Sequence, residues 1–280
     1  MKIENIVVKS IVLLPRRGER CIQSVPCNKQ ISVIIPTTRR TVVRVLEIIK
    51  GYVELSGREV EVIIVKGAKP AARARNIGAH KARGDLLVFI DDDIIIDVAS
   101  FSRFVNKLLD VDGKTIVGNV ACHTFFKFPY IPANLMGLKR DSFVEIGEFD
   151  ERIYGYEELD FSMRAVEKGY KLLNAQANLK HYNPQSLRNF LLRSFRYEIH
   201  GSFMAIKYAQ YFRLNNLRWF FPFFIDTSKE PSLFKGGIYT LVRSPVSRGL
   251  TRILGFYYWF IKMYMFTLKQ KVIRRHVQSR

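Results

Sequence analysis

The sequence predicts an α/β fold, a mostly parallel sheet flanked by helices, and three observations carry that expectation. Short continuous apolar runs alternate with stretches of helical periodicity, the runs are bounded by Pro, Gly or Asp, and the residues able to do chemistry fall just after the runs. Residues 31–36 (ISVIIP) are the first buried-strand pattern. Residues 41–55 then place Val42, Val43, Leu46, Ile49, Tyr52 and Val53 at helical spacing, and residues 60–65 form a second strand pattern. Pro70 opens a small-residue helix through Ala82, Arg83-Gly84 closes it, and residues 85–90 (DLLVFI) are a third strand running into Asp91-Asp92-Asp93. Strand, helix, strand, helix, strand requires parallel pairing. Ligands of such sheets gather beyond the C-terminal strand ends, where Pro36-Thr37, Lys66-Gly67 and the three aspartates lie.

A chain of 280 residues is long enough for a substantial core, and 48% hydrophobic with 25% charged residues excludes collagen-like, low-complexity and wholly disordered classes. Charge is the outlier, at +20. Residues 181–280 hold 17 Lys+Arg against 3 Asp+Glu, together with most of the aromatic residues and both tryptophans, Trp219 and Trp259. The expected organisation is an N-terminal extension (1–30), an α/β domain (31–184) and a helical, basic, aromatic C-terminal region (185–280). Between 253 and 268 a helix would align Ile253, Phe256, Tyr257, Phe260, Ile261, Tyr264, Met265 and Leu268, with Lys262 and Lys269 opposite. That pattern suits an anionic membrane surface or packing on a domain. No run of 18 uncharged apolar residues exists, the N-terminus lacks the core of a signal peptide, and Cys21, Cys27 and Cys122 make no CxxC pair. The expected setting is cytoplasmic, peripheral at the inner face of the membrane.

Three consecutive carboxylates at the end of a buried strand repel one another unless a cation sits among them. Asp91 and Asp93, alternate in the run, can reach one ion, and their oxygen ligands suit Mg²⁺ or Mn²⁺. A solvated acidic turn, or an N-cap for a helix starting near Asp97, is the other reading. A second cluster, Glu157-Glu158-Leu159-Asp160, opens a helical segment that carries Arg164. Its acids either complement the helix dipole and pair with Arg164, or supply a general base for an incoming hydroxyl. His181 closes a short strand-like stretch, as a structural residue or a third metal ligand.

In order along the chain, SVIIPT (32–37), ARNIG (74–78), RGDLLVFIDDD (83–93), FVEIGEFDE (143–151) and YEELDFSMR (156–164) resemble the landmarks of family-2 glycosyltransferases with the GT-A fold. The likeness spans roughly residues 31–184. It implies an enzyme that takes a nucleotide-diphospho-sugar, needs Mg²⁺ or Mn²⁺, inverts the anomeric centre, and serves a glycan or lipid-linked acceptor with no role for nucleic acid. By position, Pro36, Thr37 and Arg40 would border the nucleotide, and Arg75 and Asn76 would line the donor pocket. Asp91 and Asp93 would be the D-x-D pair, the first facing the nucleoside and the second holding the metal, with His181 beside it. Glu158 stands where the family has its catalytic base, and Glu157 and Asp160 are the alternatives. One departure stands out: where the family has an acid-rich turn that recognises the base, this chain reads Val65-Lys66-Gly67-Ala68-Lys69-Pro70. The nucleobase is therefore left open. A nucleotide-sugar-forming nucleotidyltransferase would show a Gly-rich phosphate loop, which Pro36-Thr37-Thr38-Arg39-Arg40 lacks. A non-catalytic nucleic-acid-binding protein would explain the charge, with salt-dependent binding, but gives the carboxylate clusters no role.

Overall fold

A computed structural model describes residues 7–13, 30–38, 42–123 and 128–181, together with Tyr197, His200, Gly201, Met204, Lys207 and Tyr208. The chain divides into two compact units, Met1–Pro184 and Gln185–Arg280. The elements of the first are β1 (Val7–Leu13), β2 (Ile31–Thr37), α1 (Val43–Ser56), β3 (Val60–Lys66), α2 (Ala71–Lys81), β4 (Leu86–Ile90), β5 (Ile94–Ile96) and α3 (Val98–Asp110). They continue as β6 (Thr115–Gly118), β7 (Ala121–Cys122), β8 (Pro129–Tyr130), β9 (Leu135–Lys139), α4 (Arg140–Ile146), α5 (Glu157–Glu167), β10 (Lys171–Asn174) and β11 (Leu179–His181).

The main sheet has seven strands in the order β1-β3-β2-β4-β9-β6-β10. β2 pairs in parallel with β3 and β4, β10 in parallel with β6, and β9 antiparallel with both β4 and β6. Five of the seven strands therefore share one direction, with β9 and the edge strand β1 reversed. This is the mostly parallel, helix-flanked sheet that the alternation of strand and helix patterns predicts, of the GT-A-like kind that the resemblance implies.

Strand alternation builds two cores. Ile31, Val33 and Ile35 of β2 and Leu86, Val88 and Ile90 of β4 face one side, against α1 and α3 residues such as Tyr52, Phe101 and Phe104. Ile34, Leu87 and Phe89 face the other, against Ala72, Phe143, Phe149 and Phe161. Both faces being covered is why the strands read as unbroken apolar runs instead of alternating ones. Helix α2 comes close to β2 because residue 78 has no side chain: a Cβ there would stand 2.4 Å from Ile34 Cγ2. At the N-terminal end of the central strands, Ser32 donates to Glu61 (2.6 Å), which also accepts from the Arg83 backbone N–H (2.9 Å). That latch leaves the opposite, C-terminal edge for the site.

Candidate active site

The turn after β4 begins with Asp91, whose backbone N–H donates to Asn134 O at 3.2 Å. Asp93 follows at the entry to β5, and β5 pairs antiparallel with β11 in a register that sets His181 opposite Ile94. The register brings His181 Nε2 to 3.6 Å from Asp93 Oδ1 and 3.9 Å from Asp91 Oδ2. One ligand atom from each of the three lies within 4.8 Å of the others. Two carboxylate oxygens and an imidazole nitrogen are a donor set that a divalent cation such as Mn²⁺ accepts, so the residues fit the metal that the aspartate run implies. Asn119 steadies the connection from β10 to β11: its side chain donates to Ala177 O (2.7 Å) and accepts from Ala177 N–H (2.8 Å). The run's middle acid, Asp92, accepts a hydrogen bond from Thr37 Oγ1 at the end of β2.

Arg75 is the hub of the second cluster. It projects from α2, its side chain 3% exposed, and reaches Asp91 Oδ1 at 2.8 Å, Glu157 Oε1 at 3.2 Å and Glu158 Oε1 at 3.5 Å. Its guanidinium also sits 5.7 Å from the centre of the Phe149 ring. Burial alone would lower the arginine's pKa, but Asp91, Glu158 and Glu157 outweigh it and fix the positive charge. Glu158 responds in the other sense: burial and the neighbouring Glu157 push it up to about 8, with Arg75 only partly opposing them. Two buried atoms of the cluster, Arg75 Nε and Glu157 Oε2, have no hydrogen-bond partner among the described residues.

The candidates separate on these geometries. Asp91, Asp93 and His181 converge, as do Arg75, Glu157 and Glu158, and Asp91 joins the two groups. Asp160 turns away: fully buried, it takes Arg164 in an i,i+4 ion pair at 2.9 Å. The pairing with Arg164 anticipated for this helix therefore falls to Asp160, while Glu157 goes to Arg75. Asn76 also serves another purpose. Its amide donates to Phe149 O (2.9 Å) and Glu151 Oε1 (3.2 Å) and accepts from Phe149 N–H (3.2 Å), stapling α2 to the loop after α4. Pro36 and Thr37 border the edge of β2, and Arg40 lies outside the described residues. Asp97 caps α3, accepting from Ser100 N–H at 2.7 Å.

Residues 41–166 match the family model for glycosyl transferase family 2. Over that stretch, a little under half of its length, the chain is similar to glycosyl transferase family 2. No curated protein matches the chain. Among solved structures it is similar to GalNAc-T7 with UDP, GalNAc and Mn²⁺, at 15% identity and a TM-score of 0.41 over 61% of this chain; the match spans 48%, about half, of that protein. It is also similar to the mannosyltransferase PcManGT from Pyrobaculum calidifontis in complex with GDP-Man and Mn²⁺, at 15% identity and a TM-score of 0.46, covering 81% of this chain and 74% of that one.

Within the matched segment lie Arg75, Asp91, Asp93, Glu157 and Glu158; Thr37 and His181 flank it on either side. Sequence reasoning missed Asn119 and the aromatic residues His123, Tyr130 and Tyr156. Tyr130 lies in β8 and Asn119 and His123 flank β7, strands of two residues each and too short for any periodicity to register, while Tyr156 is the residue before α5. At the turn where the family's acid is replaced, Gly67 adopts a positive φ of 85° and donates its N–H to Thr37 O at 3.3 Å, tying the ends of β3 and β2 together.

Proposed function

We propose that the protein transfers a sugar from a nucleotide-diphospho-sugar to an acceptor glycan or lipid-linked group, inverting the anomeric centre. The observation that carries the reading is the convergence, in a family-2-like domain, of a three-ligand cation site and a buried acid pair on one arginine at the C-terminal edge of the sheet. Asp91, Asp93 and His181 would hold Mg²⁺ or Mn²⁺, which when bound neutralises charge on the donor diphosphate. Arg75 keeps Asp91 oriented from behind. Glu158 is the general base, removing the acceptor's proton as the new bond forms on the face opposite the departing diphosphate. A single displacement in that arrangement inverts the centre. Glu157 holds Arg75 and raises the proton affinity of its neighbour, and Asp160, held by Arg164, positions the helix.

The C-terminal region proposed to hold the protein at the inner face of the membrane, residues 185–280, lies almost wholly outside the described residues. Among those described, no helix is long and apolar enough to cross a membrane. The support for a peripheral location is the charge and aromatic composition of residues 181–280.

The test is a panel of nucleotide-sugars with Mn²⁺, scored for nucleotide release and for donor binding. Wild-type protein should cleave at least one donor, and Glu158→Gln should lower turnover by about 10²–10⁴-fold while donor binding persists. Near-normal turnover in that variant would move the base to Glu157.

A further inference from the structure

His181 reaches the aspartates from a distant segment, and its side chain, 40% exposed, has little packing of its own to fix it there. The strand that carries it, β11, is three residues long and pairs with the equally short β5 in a ribbon separate from the seven-stranded sheet. A two-stranded ribbon is marginal alone. A metal ligand, by contrast, has to stand within about 0.2 Å of its proper distance from the ion. The backbone leading to His181 must therefore be held from elsewhere.

It is held at the turn between β10 and β11. Gln176 adopts a left-handed φ of 54°, which a non-glycine residue keeps only where its surroundings impose it. On either side Ala175 and Ala177 are buried. Ala175 N–H donates to Gly118 O at 2.7 Å, and from α3 Lys107 Nζ donates to Asn174 O at 3.2 Å and Ala175 O at 3.3 Å. The Asn119 side chain takes both polar groups of Ala177: Nδ2 donates to the carbonyl at 2.7 Å and Oδ1 accepts from the N–H at 2.8 Å. Two bonds to one residue fix its orientation as well as its position. A side-chain amide can make both because it carries a donor and an acceptor side by side, whereas the isosteric aspartate has no donor.

Ala177 stands four residues before His181. We infer that Asn119 is a positioning residue for the cation site: by clasping Ala177 it sets the reach of β11, and with it the distance of His181 Nε2 from Asp91 and Asp93. The inference rests on the reading of Asp91, Asp93 and His181 as a cation site, and deepens it. A clasp that served stability alone would act on the cation equally with or without the imidazole. A positioning clasp acts on it through His181.

The experiment titrates full-length protein with Mn²⁺ alone and reads free Mn²⁺ by electron paramagnetic resonance, for wild type, Asn119→Ala, His181→Ala and the double variant. Asn119→Ala should weaken Mn²⁺ binding about tenfold or more, as removal of a group that orients a ligand does. In the His181→Ala background the same substitution should change the remaining affinity by less than about twofold, because the ligand it positions is gone. Thermal melting without metal shows whether each variant folds. Should Asn119→Ala fail to fold, Asn119→Asp is read in the same two backgrounds. It keeps the side-chain volume and the bond from Ala177 N–H but loses the donor, and its added charge would attract the cation, so weaker binding runs against that charge. Binding unchanged or tightened by the substitution at 119, or weakened equally with and without His181, would overturn the proposal. Wild type that binds no Mn²⁺, or binds it as well after His181→Ala, would overturn the cation site itself, and this proposal with it.

Discussion

Glu158 has to carry a negative charge to act as a base, and its surroundings oppose that charge. Burial comes first and Glu157 second in raising its pKa from 4.5 to about 8. The base form of a carboxylate is the deprotonated one, so turnover should climb with pH well above the ordinary carboxylate range. Glu157→Gln removes the neighbouring charge that raises the pKa and should shift the acid limb of the pH–turnover profile towards lower pH. A limb that stays in place would show that Glu157 does not set the proton affinity of the base. At this scale the sequence marks residue types and spacing: Asp91, Asp93, Glu157 and Glu158 were legible as candidates because three consecutive carboxylates repel one another after a buried strand, and because the helix opens with more acids than its dipole needs. What Asn76 does was not, since it depends on Phe149 and Glu151 being within reach, whereas the pairing of Asp160 with Arg164, four residues on in the same helix, was among the readings.

Elements place these residues through contacts that a single methyl group can upset. Gly78 lies one turn after Arg75 on α2, and its missing side chain lets the helix settle on β2. Gly78→Ala would force a Cβ to 2.4 Å from Ile34 Cγ2, in a fully buried strand with no room to give. The expected cost is about 1–3 kcal/mol, measurable by denaturant unfolding. Because the strain displaces the helix that carries Arg75, donor cleavage should fall as well. Unchanged stability would mean that α2 does not depend on that close approach. The pairing of β5 with β11 matters for the same reason. A shift of one residue in their register would turn His181 to the other side of its strand and away from Asp93.

For the whole molecule the controlling quantity is the distribution of charge. With 17 Lys+Arg against 3 Asp+Glu in residues 181–280, the full chain should float with vesicles that contain anionic lipid and less with neutral ones. Added salt should release it, because surface charges are screened over about 8 Å at physiological ionic strength. Truncation after Arg252 should weaken flotation while donor cleavage by the first unit persists. Equal flotation of both forms would show that the stripe from Ile253 is not the anchor.

The sequence by itself determined the alternation of strand and helix from Ile31 to Ile90, the edge of the sheet where the candidate site lies, and the acids gathered there. These follow from local periodicity and from the chemistry of residues adjacent in the chain. Only the tertiary structure decided that His181 joins Asp91 and Asp93, that Arg75 gathers three carboxylates, and that His123, Tyr130 and Tyr156 stand beside the acid pair. Each of those meetings depends on strand register or helix packing between distant segments, and a hydrophobic pattern fixes which face is buried without naming what lies across from it.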